Sequence, residues 1–233
     1  RTTVGGVSLA RLIVGTNWFL GYSHTSNAQD RFIRELFDTP GKIADVIEVF
    51  ARGGCNAVMS PPNQLIYQAL REVEQRTGEP MILICTPSYL EMGNPDTWKP
   101  AVDQVKQLGA TFCFPHQCVT DPCIDVANKR LSARLVEHLS YVREAGMIPG
   151  LSSHMPDAIT CSDACGADVE SYLQLYNAAG FLCQVETDWL CDLIHKAHKP
   201  VMTIKPLAAG RLPPHTCLLY TSPSPRELST SRM

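Results

Sequence analysis

The sequence has no run of roughly 18 apolar residues, so nothing in it reads as a membrane span, and no charged-then-apolar leader opens it. It has no stretch massed with one charge. Lys and Arg number 20 against 23 Asp and Glu, for a formal net charge of -3, and the two signs are interspersed. That scatter excludes a phosphate-tracking surface, and with it nucleic acid as a partner. No CxxC pair occurs among the 10 cysteines: Cys118 and Cys123, like Cys161 and Cys165, stand too far apart. The cysteines therefore read as buried thiols, with no metal site expected from them. No GxGxxG turn follows any apolar run, which argues against a doubly wound sheet of Rossmann type. These absences leave an ordinary globular chain of 233 residues, 45% hydrophobic and 18% charged, sized for one core and expected to be cytoplasmic. It opens at Arg1 without a methionine, which reads as a missing beginning.

What is present is one unit repeated. RLIVGTNWF is strand-like, and after a polar stretch through Asp38, Thr39, Pro40 and Gly41 comes KIADVIEVFARGG, apolar at helical spacing and closed by glycine. CNAVMSPP and NQLIYQALREVEQRTG repeat the pair, with Asn63 as cap and Gly78 as terminator. PMILICTPS precedes a helix from Thr97 to Leu108 with Pro100 in its first turn. TFCFPHQ, LSARLVEHLSYVREAG, MIPGLSSHM, a helical region to Ala179, FLCQVETDW, CDLIHKAHK and PVMTIKPLAAGRL complete the series. About seven short strand runs separated mostly by single helices predict parallel strands buried on both faces. The fold class expected is α/β, a (β/α)8 TIM-type barrel truncated after about seven strands, since such barrels run to about 250 residues and eight strands.

The end of the chain breaks the pattern. CLLYTSPSPRELSTSRM has no periodicity, and it resembles the conceptual translation of sequencing-adapter read-through at the ends of metagenomic reading frames. Residues 1–215 are read as an incomplete barrel domain and 216–233 as a non-native or disordered tail.

In a barrel, chemistry collects where strands end. Those positions here are Asn17 and Trp18, then Ser60, then Thr86 and Ser88, then His116 and Gln117, then Ser152, Ser153 and His154, then Glu186 and Asp188, and finally Lys205. The strand bodies are almost wholly apolar, so polar groups recurring at their ends suit a small-molecule ligand. Lys205 in TIKP must reach solvent, an anion or a carboxylate, and Glu186 is a candidate ion-pair partner for it. His195 and His198 read as stabilising a helix C-terminus, and Tyr172 with Tyr176, four residues apart, as helical packing.

At these strand ends the chain resembles the aldo/keto reductase superfamily. VGTNWFLG is similar to the family's first-strand region, ARGGCNAVMS to its AGxNFxDT segment, and AGMIPGLSSHMPDAI to its GxIRxxGxSxxxPxxI stretch, while QVE and IKPLAAGRL resemble its sixth and seventh strands. The resemblance implies a nicotinamide cofactor, NAD or NADP, with the carboxamide held by Ser152, Ser153 and Gln184 and the pyrophosphate near Lys205, Pro206, Leu207 and Gly210. It implies an oxidoreductase acting on a small carbonyl compound, with His116 as the catalytic residue retained. The family's aspartate falls on Met59 and its lysine on Pro87, and no tyrosine stands in SPPNQ, Tyr67 lying farther on.

Other classes remain open from the residues alone. His116, His154 and Glu186 form a three-ligand set for a metal-assisted enzyme, Lys205 is a candidate Schiff-base nucleophile for a lyase or isomerase, and a noncatalytic barrel would need no tetrad.

Overall fold

The structure, a computed structural model, describes residues 1–88 and 94–213. The proposed tail at 216–233 therefore lies outside the described residues. The chain opens with a hairpin, β1 (Thr2–Val4) and β2 (Val7–Leu9), turned by Gly5 and Gly6, both at positive φ. Then come β3 (Val14–Gly15), α1 (Asn27–Leu36), α2 (Pro40–Arg52), β4 (Ala57–Ser60), α3 (Gln64–Thr77), β5 (Ile82–Cys85), α4 (Pro95–Gln107) and β6 (Phe112–Cys113). A short helix α5 (Gln117–Thr120) and a 3-10 turn lead into a small hairpin, β7 (Ile124–Asp125) with β8 (Arg130–Leu131). The series ends with α6 (Ala133–Glu144), β9 (Ile148–Pro149), β10 (Leu151–Ser153), α7 (Asp157–Cys165), β11 (Tyr172–Leu175), α8 (Thr187–Lys196) and β12 (Val201–Ile204).

Local chemistry sets these boundaries. Asn63 caps α3 by accepting from the backbone N–H of Leu65 and Ile66, and Gly78 closes it at φ 75. Ser132 caps α6, and Pro40 and Pro95 occupy first-turn positions where no donor is lost. Helix α1, which begins after the Ser26 cap, lies in the stretch that the sequence presents only as polar.

All pairings outside the two hairpins are parallel. One sheet runs β3-β4-β5-β6-β9 and a second β10-β11-β12, in chain order throughout. Pro149 ends β9 and Leu151 begins β10, so the two sheets meet at Gly150. A Cβ there would come within 2.3 Å of the Phe114 ring, and only glycine lets ring and strand share that space.

Side chains alternate between two layers. Ala57, Ile84, Phe112, Phe114 and Leu173 gather on one face with Val4 and Leu9 of the opening hairpin, and Met202 and Ile204 pack against them. Both sheets thus share one concave interior, floored by the hairpin. Val58, Leu83, Cys85 and Cys113 point the other way, into the α2, α3 and α4 helices, while Leu151 and Tyr172 meet α6 and α8. Strand pairing between β3 and β12 is not seen among the described residues.

The sixth strand departs from expectation. It is Tyr172–Leu175, buried at every position, and not FLCQVETDW, which forms turns and the start of α8. Tyr172 and Tyr176 are therefore strand and strand-end residues, not one face of a helix; the Tyr172 hydroxyl donates to Asp163 at 2.6 Å. Helix α8 ends at Lys196, which leaves His198 beyond it.

Candidate functional site

Because the strands are parallel, their C-terminal ends open on one side, opposite the hairpin floor. Thr16 follows β3 and is buried, its hydroxyl donating to the Met59 carbonyl at 3.0 Å. Asn17 and Trp18, next in the chain, are exposed. Ser60 is buried and donates to its neighbour Pro61 at 2.8 Å, which commits its hydroxyl locally. Thr86 is buried and Ser88 exposed.

His116 is half-buried and caps α5. The Cys118 backbone N–H donates to its Nδ1 at 3.4 Å, and the Cys118 Sγ lies 3.2 Å from the same nitrogen. Nδ1 is thus an acceptor, and the neutral ring carries its proton on Nε2. Burial, then the nearby Lys205 charge, hold His116 below the usual histidine range, against a smaller opposing pull from Asp121. Gln117 is the first residue of α5.

Ser152 and Ser153 end β10 and are both buried. Register pairs Ser152 with Leu173 and Ser153 with Gln174. Ser152 therefore shares the face of the concave interior, whereas Ser153 and Gln174 share the opposite one. The Ser153 hydroxyl donates to Asp121 at 2.5 Å and accepts from the Met155 backbone N–H at 2.9 Å. Asp121, half-buried, is held above the usual carboxylate range by desolvation, against these hydrogen bonds and His116. Gln174 is 1% exposed, its amide donates to the His154 carbonyl at 3.5 Å, and its Oε1 is buried without a protein partner.

His154 is pushed down to about 4, first by burial and then by the charges of Lys205, His116 and His24. Lys205 follows β12 at φ 58, half-buried, and desolvation lowers its pKa. His24, on the loop after β3, is lowered by burial and next by Lys205, with Asp30 opposing and Arg211 adding to the shift. The Lys205 charge thus bears on three histidines, which lie on the loops after β3, β6 and β10. Leu207 and Gly210 belong to the tight turns that follow: the Leu207 carbonyl accepts from Gly210 N–H at 2.9 Å and Leu212 N–H at 3.1 Å, and Pro206 is exposed.

Gln184, Glu186 and Asp188 are not part of this mouth as strand-end residues. All three are exposed, on the turn before α8 and in its first turns, because β11 ends at Leu175, before the run from Phe181 in which the sequence pattern places the sixth strand. The glutamine beside Ser153 is Gln174. The set His116, His154 and Glu186 is not brought together; among the described residues no group of three or more His, Cys, Asp or Glu side chains is placed to hold a metal ion. Tyr67 sits inside α3 with the Arg71 guanidinium 5.5 Å from its ring centroid, packed against the outer core. Sequence reasoning missed Gln174, Asp121, His24 and Arg211. The one available signal was Gln174 itself, a lone amide in the apolar run YLQLY.

No protein-family model matches the chain, and no curated protein matches it. Solved structures do. One described as a "putative 2,5-diketo-D-gluconic acid reductase B" is similar with a TM-score of 0.54 at 18% identity, over 90% of this chain and 66% of that one. An aldo-keto reductase enzyme from a Medee basin deep-sea metagenome library gives 0.49 at 12% identity, over 75% of this chain and 62% of that one. An octameric ribulose-1,5-bisphosphate carboxylase/oxygenase from Pyrococcus horikoshii gives 0.45 at 12% identity, over 71% of this chain and 44% of that one. The chain spans at most 66% of the length of these three. The first likeness establishes the fold class: an α/β protein of parallel strands with barrel-type neighbours. Among the described residues no helix is long and apolar enough to cross a membrane.

Proposed function

We propose that the strand-end mouth binds a small carbonyl compound and that the protein is an aldo/keto reductase-like oxidoreductase of the cytoplasm, with its seven main strands belonging to an eight-unit barrel. The observation that carries this reading is a half-buried, neutral His116 that bears its proton on Nε2 and follows β6 on the side where the strand ends open.

A nicotinamide fits this mouth in part. Ser152, buried on the interior face, would meet the carboxamide; Gln174 and Ser153 lie on the opposite face, and Ser153 is already committed to Asp121. When bound, the cofactor supplies hydride. The chain's own residues do the rest. His116 donates from Nε2 to the substrate oxygen and polarises the carbonyl without itself being charged. Lys205, Pro206, Leu207 and Gly210 supply backbone turns and one cation at the rim. Tyr67, the tyrosine that follows SPPNQ, is held in α3 against the outer core and does not deliver the proton. A missing proton donor typically forfeits about 10²- to 10⁴-fold in rate, so reduction is expected to be slow.

Titration with NADH and NADPH, followed by nicotinamide fluorescence, tests the reading. One cofactor is expected to bind, and Ser152→Val to weaken it. If neither binds at millimolar concentration, or if Ser152→Val leaves affinity unchanged in a folded protein, the reading is wrong.

A further inference from the structure

Two histidines among the described residues stand beside a cysteine sulfur, and the two pairs differ in the respect that decides what each can do. On α8, His195 Nδ1 lies 2.9 Å from the Cys191 carbonyl oxygen and 3.6 Å from the Cys191 sulfur. A carbonyl only accepts, so that nitrogen carries a proton and has no lone pair to take another. At the mouth the arrangement is reversed. The Cys118 backbone N–H donates to His116 Nδ1 at 3.4 Å, which makes that nitrogen an acceptor, and the Cys118 sulfur stands 3.2 Å from it. The thiol therefore has a base within reach of its proton.

Backbone holds the pair from both sides. His116 N–H donates to the Pro87 carbonyl at 2.9 Å, and the His116 carbonyl accepts from Val119 at 2.8 Å and Thr120 at 3.0 Å. The Thr120 hydroxyl ties back to the Pro115 carbonyl at 2.9 Å. Cys118 is exposed, whereas Cys55, Cys85, Cys113, Cys123 and Cys161 are buried. Desolvation raises the Cys118 thiol above its ordinary range and lowers His116, so near neutral pH the pair rests as a thiol and a neutral imidazole. The thiolate is the nucleophilic form, so such a thiol must lose its proton as the new bond forms.

We infer that Cys118 is a nucleophile with His116 as its base, and that the dyad captures conjugated carbonyl compounds by covalent addition. The sulfur–carbon bond forms at the β-carbon while the thiol proton passes to Nδ1. The carbon–carbon π pair moves toward the carbonyl, and the Nδ1 proton then goes to the α-carbon. The product is a saturated thioether, and the imidazole ends as it began, so a single base completes the addition. No oxidant, reductant or cofactor enters. The inference goes beyond the reductase reading and stands without it.

The test uses acrylamide, a small conjugated carbonyl compound, on the full chain near neutral pH without cofactor, with initial rates at each cysteine read by peptide mass spectrometry. Cys118 is expected to react at least about tenfold faster than Cys165, which is also exposed but has the Ser162 carbonyl, 3.6 Å from its sulfur, as acceptor in place of a base. Cys191 should likewise be slow. His116→Ala should bring Cys118 down to the Cys165 rate and leave Cys165 where it was, and added imidazole should restore the difference. Removing the ring uncovers the sulfur, so a fall in rate reports the lost base and not lost access. The buried Cys85 and Cys161 report in the same digest whether a variant is folded, and His116→Gln, closer in size, is read if His116→Ala opens them. If Cys118 reacts no faster than Cys165 in the parent, or keeps its rate in a folded His116 variant, the inference is overturned. NADH titration of the same protein separates the two readings: a fast Cys118 in a protein that binds no nicotinamide keeps the dyad and removes the reductase, and a slow Cys118 in a protein that binds it does the reverse.

Discussion

The Arg211 guanidinium lies over the Phe181 ring, 4.0 Å from its centroid. The same ring meets His24 edge-on at 6.3 Å, and Arg211 donates to the His24 carbonyl. Three loops, those after β3, β11 and β12, are thereby tied together on the side where no β3–β12 pairing is seen among the described residues. A cation over an aromatic face at an exposed site contributes about 0.5–1 kcal/mol. Arg211→Ala is expected to lower unfolding free energy by about that much in urea titration. Arg211→Lys should recover part of it, and a Phe181→Leu background should abolish the difference between Arg and Ala.

Gly150 has no room for a side chain. Gly150→Ala would push a methyl into the Phe114 ring and should cost about 1–3 kcal/mol, the usual range for overpacking. Combining it with Phe114→Leu should restore much of the loss relative to Phe114→Leu alone, measured as the urea midpoint. Additive losses would mean the two residues do not share that space.

His138 is fully buried on α6, 5.1 Å from the Trp98 ring, and burial drives its pKa from the ordinary 6.5 to about 4. The unfolded chain therefore takes up a proton first as pH falls. Stability should be complete above about pH 6.5 and decline as pH drops from there toward 4, by up to about 3 kcal/mol from this one group. His138→Leu should flatten the slope between pH 6.5 and 5 in urea melts run at stepped pH, while the parent keeps it.

The Tyr172 hydroxyl donates to Asp163 on α7, which also accepts from the His198 backbone N–H at 3.0 Å. A hydrogen bond to a charged group is worth about 1.5–3 kcal/mol, so Tyr172→Phe should destabilise by that order. Tyr176→Phe should cost less, since Tyr176 is only partly buried. Equal costs would weigh against the placement of β11.

Most strands were legible because each is an apolar run bounded by turn residues, and parallel strands buried on both faces need no alternation. That same property hid β11. YLQL carries a glutamine in its middle and tyrosines four residues apart, a spacing shared with helices, whereas FLCQVETDW has the apolar start of a strand. What decides between them lies outside the segment: Gly166 stops α7 early, and register with Ser152 and Ser153 fixes Leu173 and Gln174. The opening hairpin was legible in principle from Gly5-Gly6 between apolar residues. For the site, strand-end residues such as His116, His154 and Lys205 follow from the strand pattern. His24, Asp121 and Arg211 do not, because they reach the mouth from loops whose paths depend on tertiary contacts such as the Ser23–Asp30 and Arg211–Phe181 pairs.

The β1–β2 hairpin seals the end of the interior opposite the mouth, with Val4 and Leu9 at 3% and 2% exposure among Phe112, Phe114 and Leu173. Among the described residues that end offers a ligand no passage, so traffic is expected through the strand-end mouth, and whatever seats deeper must load first and depart last. If two molecules share that route, turnover should follow a compulsory order of addition, and the product released last should inhibit competitively against the first reactant.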